Sequence, residues 1–366
     1  PVTKGGTSAR AQASVVELYN TARLRFPTIN AKEVTFEAID KAIMGELAGP
    51  VAILTSSVTS PTTLEIINSF ITKFPGSRHV IYDAYSYHGI LEANKASYGK
   101  RAIPSYRFDN AKVIVGIGAD FLGTWVSPVE FSKQYSVNRK IDEKNPQMSK
   151  HYQFESILTP TGGSADERIL HAPSETGKVV AALLNAVNGQ AVSGIPDTKM
   201  AAGINKVAKD LIANKGQPSV VCGINDAKVQ ILVNAINEAI GANGKTIDWS
   251  VVHNTRQGND ADVAQLVNDM NTGAIKSLLI FGANPAYTWY DSKKFIDGLK
   301  KVPVTISFAD KNNETAQLCK YVLPNNHYLE SWGEFEAKTV YFSFMQPTIN
   351  PLFKTRQWQD SLLKWS

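Results

Sequence analysis

The sequence is short of the residues on which most metal and thiol chemistry depends. Its 366 residues include two cysteines, Cys222 and Cys319, and neither belongs to a CxxC pair. A four-thiolate cluster or a structural zinc site therefore cannot be assembled from this chain alone. The six histidines, at 79, 88, 151, 171, 253 and 327, are never three or four apart, and no HExxH occurs. That excludes the helical zinc-hydrolase arrangement. Charged residues make up only 19%, and the net charge of +5 is scattered. The densest basic run, Lys133 to Lys150, also holds Asp142 and Glu143 and is not interleaved with aromatics as a nucleic-acid platform would be. No stretch is long and apolar enough to span a bilayer, and none reads as a secretory leader. Gly116-Ile117-Gly118 lacks the third glycine of a dinucleotide fingerprint, since position 121 is Phe. Leu158 to Glu167 is Gly-rich but is not followed by GK[ST], so it is not a Walker loop.

What the chain has is apolar content, 43%, and length for two α/β lobes. Its most informative stretch is Ile275 to Trp289. Leu278 to Phe281 reads as a buried strand closed by Gly282, and Asn284-Pro285 then forces a loop. Ala111 to Trp125 repeats the plan without a gap. Lys112, Gly118, Ala119, Thr124 and Trp125 coincide with Lys276, Gly282, Ala283, Thr288 and Trp289, and Asp120 stands at the position of Asn284. One kind of ligand-facing strand end is made twice.

Along the chain, Thr35 caps a helix with Ile39 and Ile43 inward. Val51 to Leu54 is a strand, and Ser60-Pro61 opens a helix carrying Ile67 and Phe70. His79 to Tyr82 is the next strand, and Asp83 to Tyr106 reads as irregular. Further helices are expected from Ser127-Pro128, from Ser174 and Thr176 to Val187, over Thr198 to Ala213, over Asp226 to Ile240 and after Asp260, which reads as the cap. Ser219 to Cys222 and Val304 to Phe308 are strands, and Lys140 to Lys150 is polar loop. The order predicts two doubly wound, Rossmann-like lobes with mostly parallel sheets. The expected segments are a connecting stretch at 1–34, a first lobe from 35–80 plus 195–335, an inserted lobe at 81–194, and a C-terminal segment at 336–366 leading to a domain outside this chain.

The bottom-up reading assigns no catalytic or metal-binding residue. Cys222 at a strand end and Cys319 beside Leu318 read as packed thiols. Glu330 and Glu334 read as carboxylates flanking a turn at Trp332-Gly333.

Glu314-Thr315-Ala316 to Tyr321-Val322-Leu323-Pro324, followed by Leu329-Glu330 and Gly333-Glu334, resembles the ETA…ADYVLP…LExxGD segment of molybdopterin oxidoreductases. Gly282-Ala283-Asn284-Pro285 is similar to that family's GxNP turn, and Gly118-Ala119-Asp120 to its earlier sister. Ala9 to Pro27 and Val34 to Ala38 resemble the segments that open the family's main body. The departures are specific. No cluster cysteine precedes Ala9, and the stretch Ala84 to Ser97, where a metal ligand is expected, offers Ser86 but no cysteine. Asp120-Phe121 replaces the first Asn-Pro.

Asp120 to Phe131 and Gln346 to Gln357 resemble one branch, the ActB-type large iron–sulfur subunits of alternative complex III. In that branch the molybdopterin-enzyme-like part has lost its cofactor and is fused to a ferredoxin-like part. The resemblance implies a structural role within quinol oxidation and electron transfer. It implies 4Fe–4S and 3Fe–4S clusters in the adjoining domain and no cofactor in this stretch. Multihaem cytochrome and quinol-binding integral membrane subunits are the implied partners, with a terminal oxidase beyond them. The implied location is the periplasmic face of the inner membrane, held there by those subunits. Gly116, Gly118, Asp120, Gly282, Asn284, Pro285, Glu314 and Thr315 would then be remnants of a pterin crevice. The alternatives are a fragment of an active molybdenum or tungsten bis-pterin oxidoreductase, with Ser86 or a residue outside this stretch as ligand, and a free-standing nucleotide-binding module.

Overall fold

A computed structural model describes residues 2–141, 143 and 146–366. The expected polar loop from Lys140 to Lys150 passes through Asp142, Lys144 and Asn145, which, like Pro1, lie outside the described residues.

The chain divides into two compact units: Pro1–Ser8 with Tyr87–His253, and Ala9–Ser86 with Asn254–Ser366. The second is built on a seven-stranded sheet. From one edge its strands are Lys32–Glu33, Thr28–Ile29, Tyr321–Val322, Val304–Ser307, Ser277–Phe281, Val51–Thr55 and Arg78–Ile81. Tyr321–Val322 through Arg78–Ile81 run parallel, and Thr28–Ile29 pairs antiparallel with both of its neighbours, Tyr321–Val322 and Lys32–Glu33. The central strands are buried almost throughout because both faces are covered, and they are mostly apolar, with Thr55, Ser277, Thr305 and Ser307 buried among them. Val51, Ile53 and Leu279 meet Ile39, Ile43, Ile67, Phe70 and Leu362 on one face. Ala52, Leu54, Leu278 and Ile280 meet Val263, Leu266, Phe295 and Leu299 on the other. The alternation is the two-residue period of a strand.

The helices start where their caps dictate. Thr35 accepts the amide of Ala38 at the head of Phe36–Glu46, and Ser60 accepts that of Thr63 at the head of Pro61–Ile71. Asp260–Thr272 is capped by Asn259, not by Asp260 as the sequence suggested, because the Asn259 side chain reaches the amide of Ala261. Gly333–Lys338 and Tyr341–Met345 form an antiparallel hairpin in place of the expected turn at Trp332-Gly333. Trp358–Trp365 closes the chain.

The other unit carries four parallel strands, in the order Glu167–Leu170, Lys150–Glu155, Val113–Ile117, Pro218–Cys222. Pro218–Cys222 pairs with Val113–Ile117, so residues 195–253, expected in the first lobe, lie here. Of the expected connecting segment, residues 9–34 belong, with the whole expected C-terminal segment, to the unit of the seven-stranded sheet, of which Thr28–Ile29 is a strand, whereas Pro1–Ser8 groups with the four parallel strands. Asp83 to Tyr106 is not irregular. It contains the helix His88–Tyr98 and the strand Ile103–Tyr106, which pairs with Ile247–His253. That helix turns Gly89, Ala93 and Asn94 inward beside Ile90 and Leu91, so its buried face lacks an apolar stripe. The reason is close packing: a Cβ on Gly89 would come within 2.7 Å of the Asp226 amide.

Candidate functional site

Each unit ends a central strand with the same device. After Ser277–Phe281, Gly282 takes φ +66, and Asn284 turns its side chain onto the next loop. Its Oδ1 accepts the Thr315 amide at 3.1 Å and the Thr315 hydroxyl at 2.7 Å. Its Nδ2 donates to Glu314 at 2.7 Å, which holds that carboxyl below its usual range. Thr315 Oγ1 accepts the amide of Ala286, just beyond Pro285, at 3.0 Å. After Val113–Ile117, Gly118 takes φ +61 and Asp120 does the same work on Thr161. The Asp120 Oδ1 accepts the Thr161 hydroxyl at 2.7 Å and its amide at 3.3 Å, and Thr161 Oγ1 accepts the Leu122 amide at 3.0 Å. Gly116 is required by its neighbour, since a Cβ there would lie 2.0 Å from Gln153 Oε1.

The structure thus groups Gly116, Gly118 and Asp120 in one unit and Gly282, Asn284, Pro285, Glu314 and Thr315 in the other. Sequence reasoning missed Thr161, which lies within a Gly-rich turn read only for a phosphate loop. The aligned repeat held the signal: if Asp120 matches Asn284, something must match Thr315.

A cavity of about 560 Å³ opens over the ends of Ser277–Phe281 and Val304–Ser307. Gly282, Asn284, Asp310, Asn326 and Tyr328 are in its wall, with Glu17 at its side. A second cavity of about 230 Å³, lined by Ser57, Ser60, Asn325, Trp332 and Glu334, shares Phe281 and Asn326 with it. Among the described residues, no lysine or arginine lines either.

The loop after Val51–Thr55 has its donors taken by carboxylates. Buried Asp83 accepts the Ser57 amide and hydroxyl at 3.0 and 2.6 Å and the amides of Gln257 and Gly258 at 3.2 and 2.9 Å. Glu334 accepts the Ser60 hydroxyl at 2.8 Å and the Thr62 amide at 2.9 Å. Glu330 is spent elsewhere, in a buried ion pair with Arg23 at 2.7 Å and on the amides of His327 and Leu352. The two glutamates therefore do separate structural jobs.

The remaining candidates are closed in. Both cysteines are buried, and burial pushes their thiols up to about 12. Burial pushes His79 and His151 down to about 4. Ser86 is half-buried. Among the described residues, no group of three or more His, Cys, Asp or Glu side chains is placed to hold a metal ion, and no helix is long and apolar enough to cross a membrane.

Residues 179–359 match the molybdopterin oxidoreductase family model. The menaquinone reductase, molybdopterin-binding-like subunit, of Nitratidesulfovibrio vulgaris is 21% identical over 415 residues, covering 99% of this chain and 59% of that protein. The chain thus spans about three-fifths of that relative's length. Acetylene hydratase from Pelobacter acetylenicus superposes with a TM-score of 0.74 at 13% identity, over 98% of this chain and 62% of that one. The formyltransferase/hydrolase complex of Methylorubrum extorquens gives 0.60 at 12% identity, over 93% and 97%. At those identities the likeness shows the fold: mixed α/β, mostly parallel, of the molybdopterin oxidoreductase kind.

That fold family implies a metal carried by pterin nucleotides. The donor set here does not fit such a group. The segment after Arg78–Ile81 supplies no thiolate, the strand-end Asn284 and Asp120 are bonded within the chain, and the cavity walls offer no cation to a pyrophosphate.

Proposed function

We propose that this chain, which carries a molybdopterin oxidoreductase domain at residues 179–359, is the cofactor-free structural part of a respiratory iron–sulfur subunit. It holds a neighbouring cluster-bearing domain and partner subunits in register, and its own residues transfer no electrons. The complex we assign it to is of the alternative complex III kind, linked to quinol oxidation at the periplasmic face of the inner membrane. The partners are multihaem cytochrome and quinol-binding membrane subunits, and the 4Fe–4S and 3Fe–4S clusters belong to the adjoining ferredoxin-like domain. A relative named as a molybdopterin-binding-like subunit of a menaquinone reductase supports the respiratory part of this reading.

The observation that carries the structural role is that the chain itself engages the strand-end side chains. Asn284 is bonded to Thr315 and Glu314, and Asp120 to Thr161, so at both strand ends these side chains are taken up within the chain. The test is metal analysis of the full protein, purified from its native membranes with electron-transfer activity intact. We expect no molybdenum or tungsten above a blank, alongside iron from the clusters. Molybdenum or tungsten near one atom per chain would sink the reading and favour an active bis-pterin oxidoreductase, with Ser86 the first residue to replace.

A further inference from the structure

The loop at 56–60, between Val51–Thr55 and Pro61–Ile71, is where an open parallel sheet presents backbone donors to a bound phosphate. In this chain those donors are engaged at both ends. At the start, the Ser57 amide and hydroxyl bind Asp83. At the finish, the Ser60 hydroxyl and Thr62 amide bind Glu334. A carboxylate presents two anionic oxygens, as a phosphate does, and a negative group is favoured at a helix amino-terminus. The strand bearing Glu334 is fixed to the same loop, because the Glu336 amide donates to the Thr59 carbonyl at 2.8 Å.

We infer that Asp83 and Glu334 are built-in anions that close this loop to phosphate-bearing ligands, and that Glu334 is the one that gates it. The inference deepens the scaffold reading by naming what keeps a nucleotide's phosphate out. The two residues differ in how they can be removed. Asp83 is buried and gathers donors from two loops, so its loss strands several buried groups. Glu334 is half-buried in the wall of the cavity of about 230 Å³. Without it, the Thr62 amide loses its acceptor and faces the cavity, and the Ser60 hydroxyl keeps only Thr63 Oγ1, at 2.8 Å. Burial alone would raise the Glu334 carboxyl; hydrogen bonds from Ser60 and Thr62 more than offset this and hold it below its usual range.

The experiment titrates inorganic pyrophosphate into the full protein by calorimetry, as wild type, Glu334→Ala and Glu334→Gln. Wild type is expected to show no saturable binding at this loop. Glu334→Ala is expected to bind at least about tenfold more tightly, with a matching ligand-dependent rise in melting temperature. A folded Glu334→Ala no better than wild type overturns the inference, as does a wild type that binds equally well. Should the alanine variant not fold, Glu334→Gln keeps the side chain's shape without its charge and is expected to gain binding in the same direction; no gain there overturns it too. In the wild type, carboxyl-carbon NMR must place Glu334 below an ordinary glutamate, and an ordinary titration likewise overturns it. Metal analysis of the same preparation separates the two ideas. Molybdenum bound with these results unchanged removes the scaffold reading and leaves the closed loop standing.

Discussion

At the scale of single residues, the chain's long-range order rests on a few buried charges. Glu330 is 3% exposed and Arg23 is 4% exposed, and Arg23 also donates to the Leu18 carbonyl and lies over the Phe353 ring. Burial alone would raise the Glu330 carboxyl, but Arg23 and the amides of Leu352 and His327 hold it below its usual range. Glu330→Gln leaves the guanidinium buried without its counter-charge, and we expect a loss of about 3 kcal/mol in urea unfolding. Arg23→Met combined with Glu330→Met should lose less than the two single changes added together. A loss in Glu330→Gln under about 1 kcal/mol would show the pair to be screened like a surface one. None of this was legible in the sequence, where Glu330 reads as one side of a turn. Asp40 is a similar case. It follows Ile39 on an amphipathic helix and looks solvated, but its carboxylate binds Arg356 at 2.7 Å and the Trp365 indole at 2.9 Å. Periodicity reports a helix's face, not a partner some three hundred positions away.

At the scale of elements, the repeated strand end was visible because its glycines are demanded by geometry. Gly118 and Gly282 both adopt the left-handed backbone, which other residues adopt at a cost. The loop that each turn grips was not visible, because a threonine hydroxyl accepting one amide and donating to one side chain has no spacing of its own. Thr161→Val and Thr315→Val test whether the two turns are equivalent. Each change keeps the shape but leaves the Leu122 or Ala286 amide without its acceptor and removes one of the two bonds to the Asp120 or Asn284 Oδ1, the backbone amide of residue 161 or 315 keeping the other. We expect each to cost about 1–3 kcal/mol in chemical denaturation, by similar amounts. A large cost at one and none at the other would break the equivalence. Missed elements share a cause. His88–Tyr98 packs through small and polar residues, and Lys150–Glu155 buries His151, Gln153 and Glu155, so neither shows an apolar period.

At the scale of the whole molecule, the doubly wound architecture was readable from strand, turn and capped helix in sequence, whereas the allotment of strands to units was not. Pro218–Cys222 resembles Val51–Thr55 in composition, and only its pairing with Val113–Ile117 assigns it. Both units do share one property that follows from burial: each holds a neutral histidine on a parallel strand. His151 is fully buried, with Nδ1 3.1 Å from the Tyr135 hydroxyl, and His79 lies 2.7 Å from the Thr55 hydroxyl. Burial lowers both from 6.5 to about 4. Above the unfolded value both states are neutral and the histidines contribute no pH dependence. As pH falls from 6.5 towards 4, the unfolded chain takes up protons that the native state refuses, so stability is lost across that window. For His151 the shift corresponds to about 3 kcal/mol, and His79, in the other unit, adds in the same direction. The depressed carboxyl of Asp40, at about 2, contributes stability above its unfolded value of 3.8 and loses it only below that. Urea midpoints should therefore hold steady above about pH 6.5, decline through the histidine window, and fall again in stronger acid. His151→Gln should flatten the middle segment relative to wild type, at some expense of stability at neutral pH. A wild-type midpoint unchanged between about pH 7 and pH 4.5 would mean that these rings are protonated in the native state, and their burial would need another explanation.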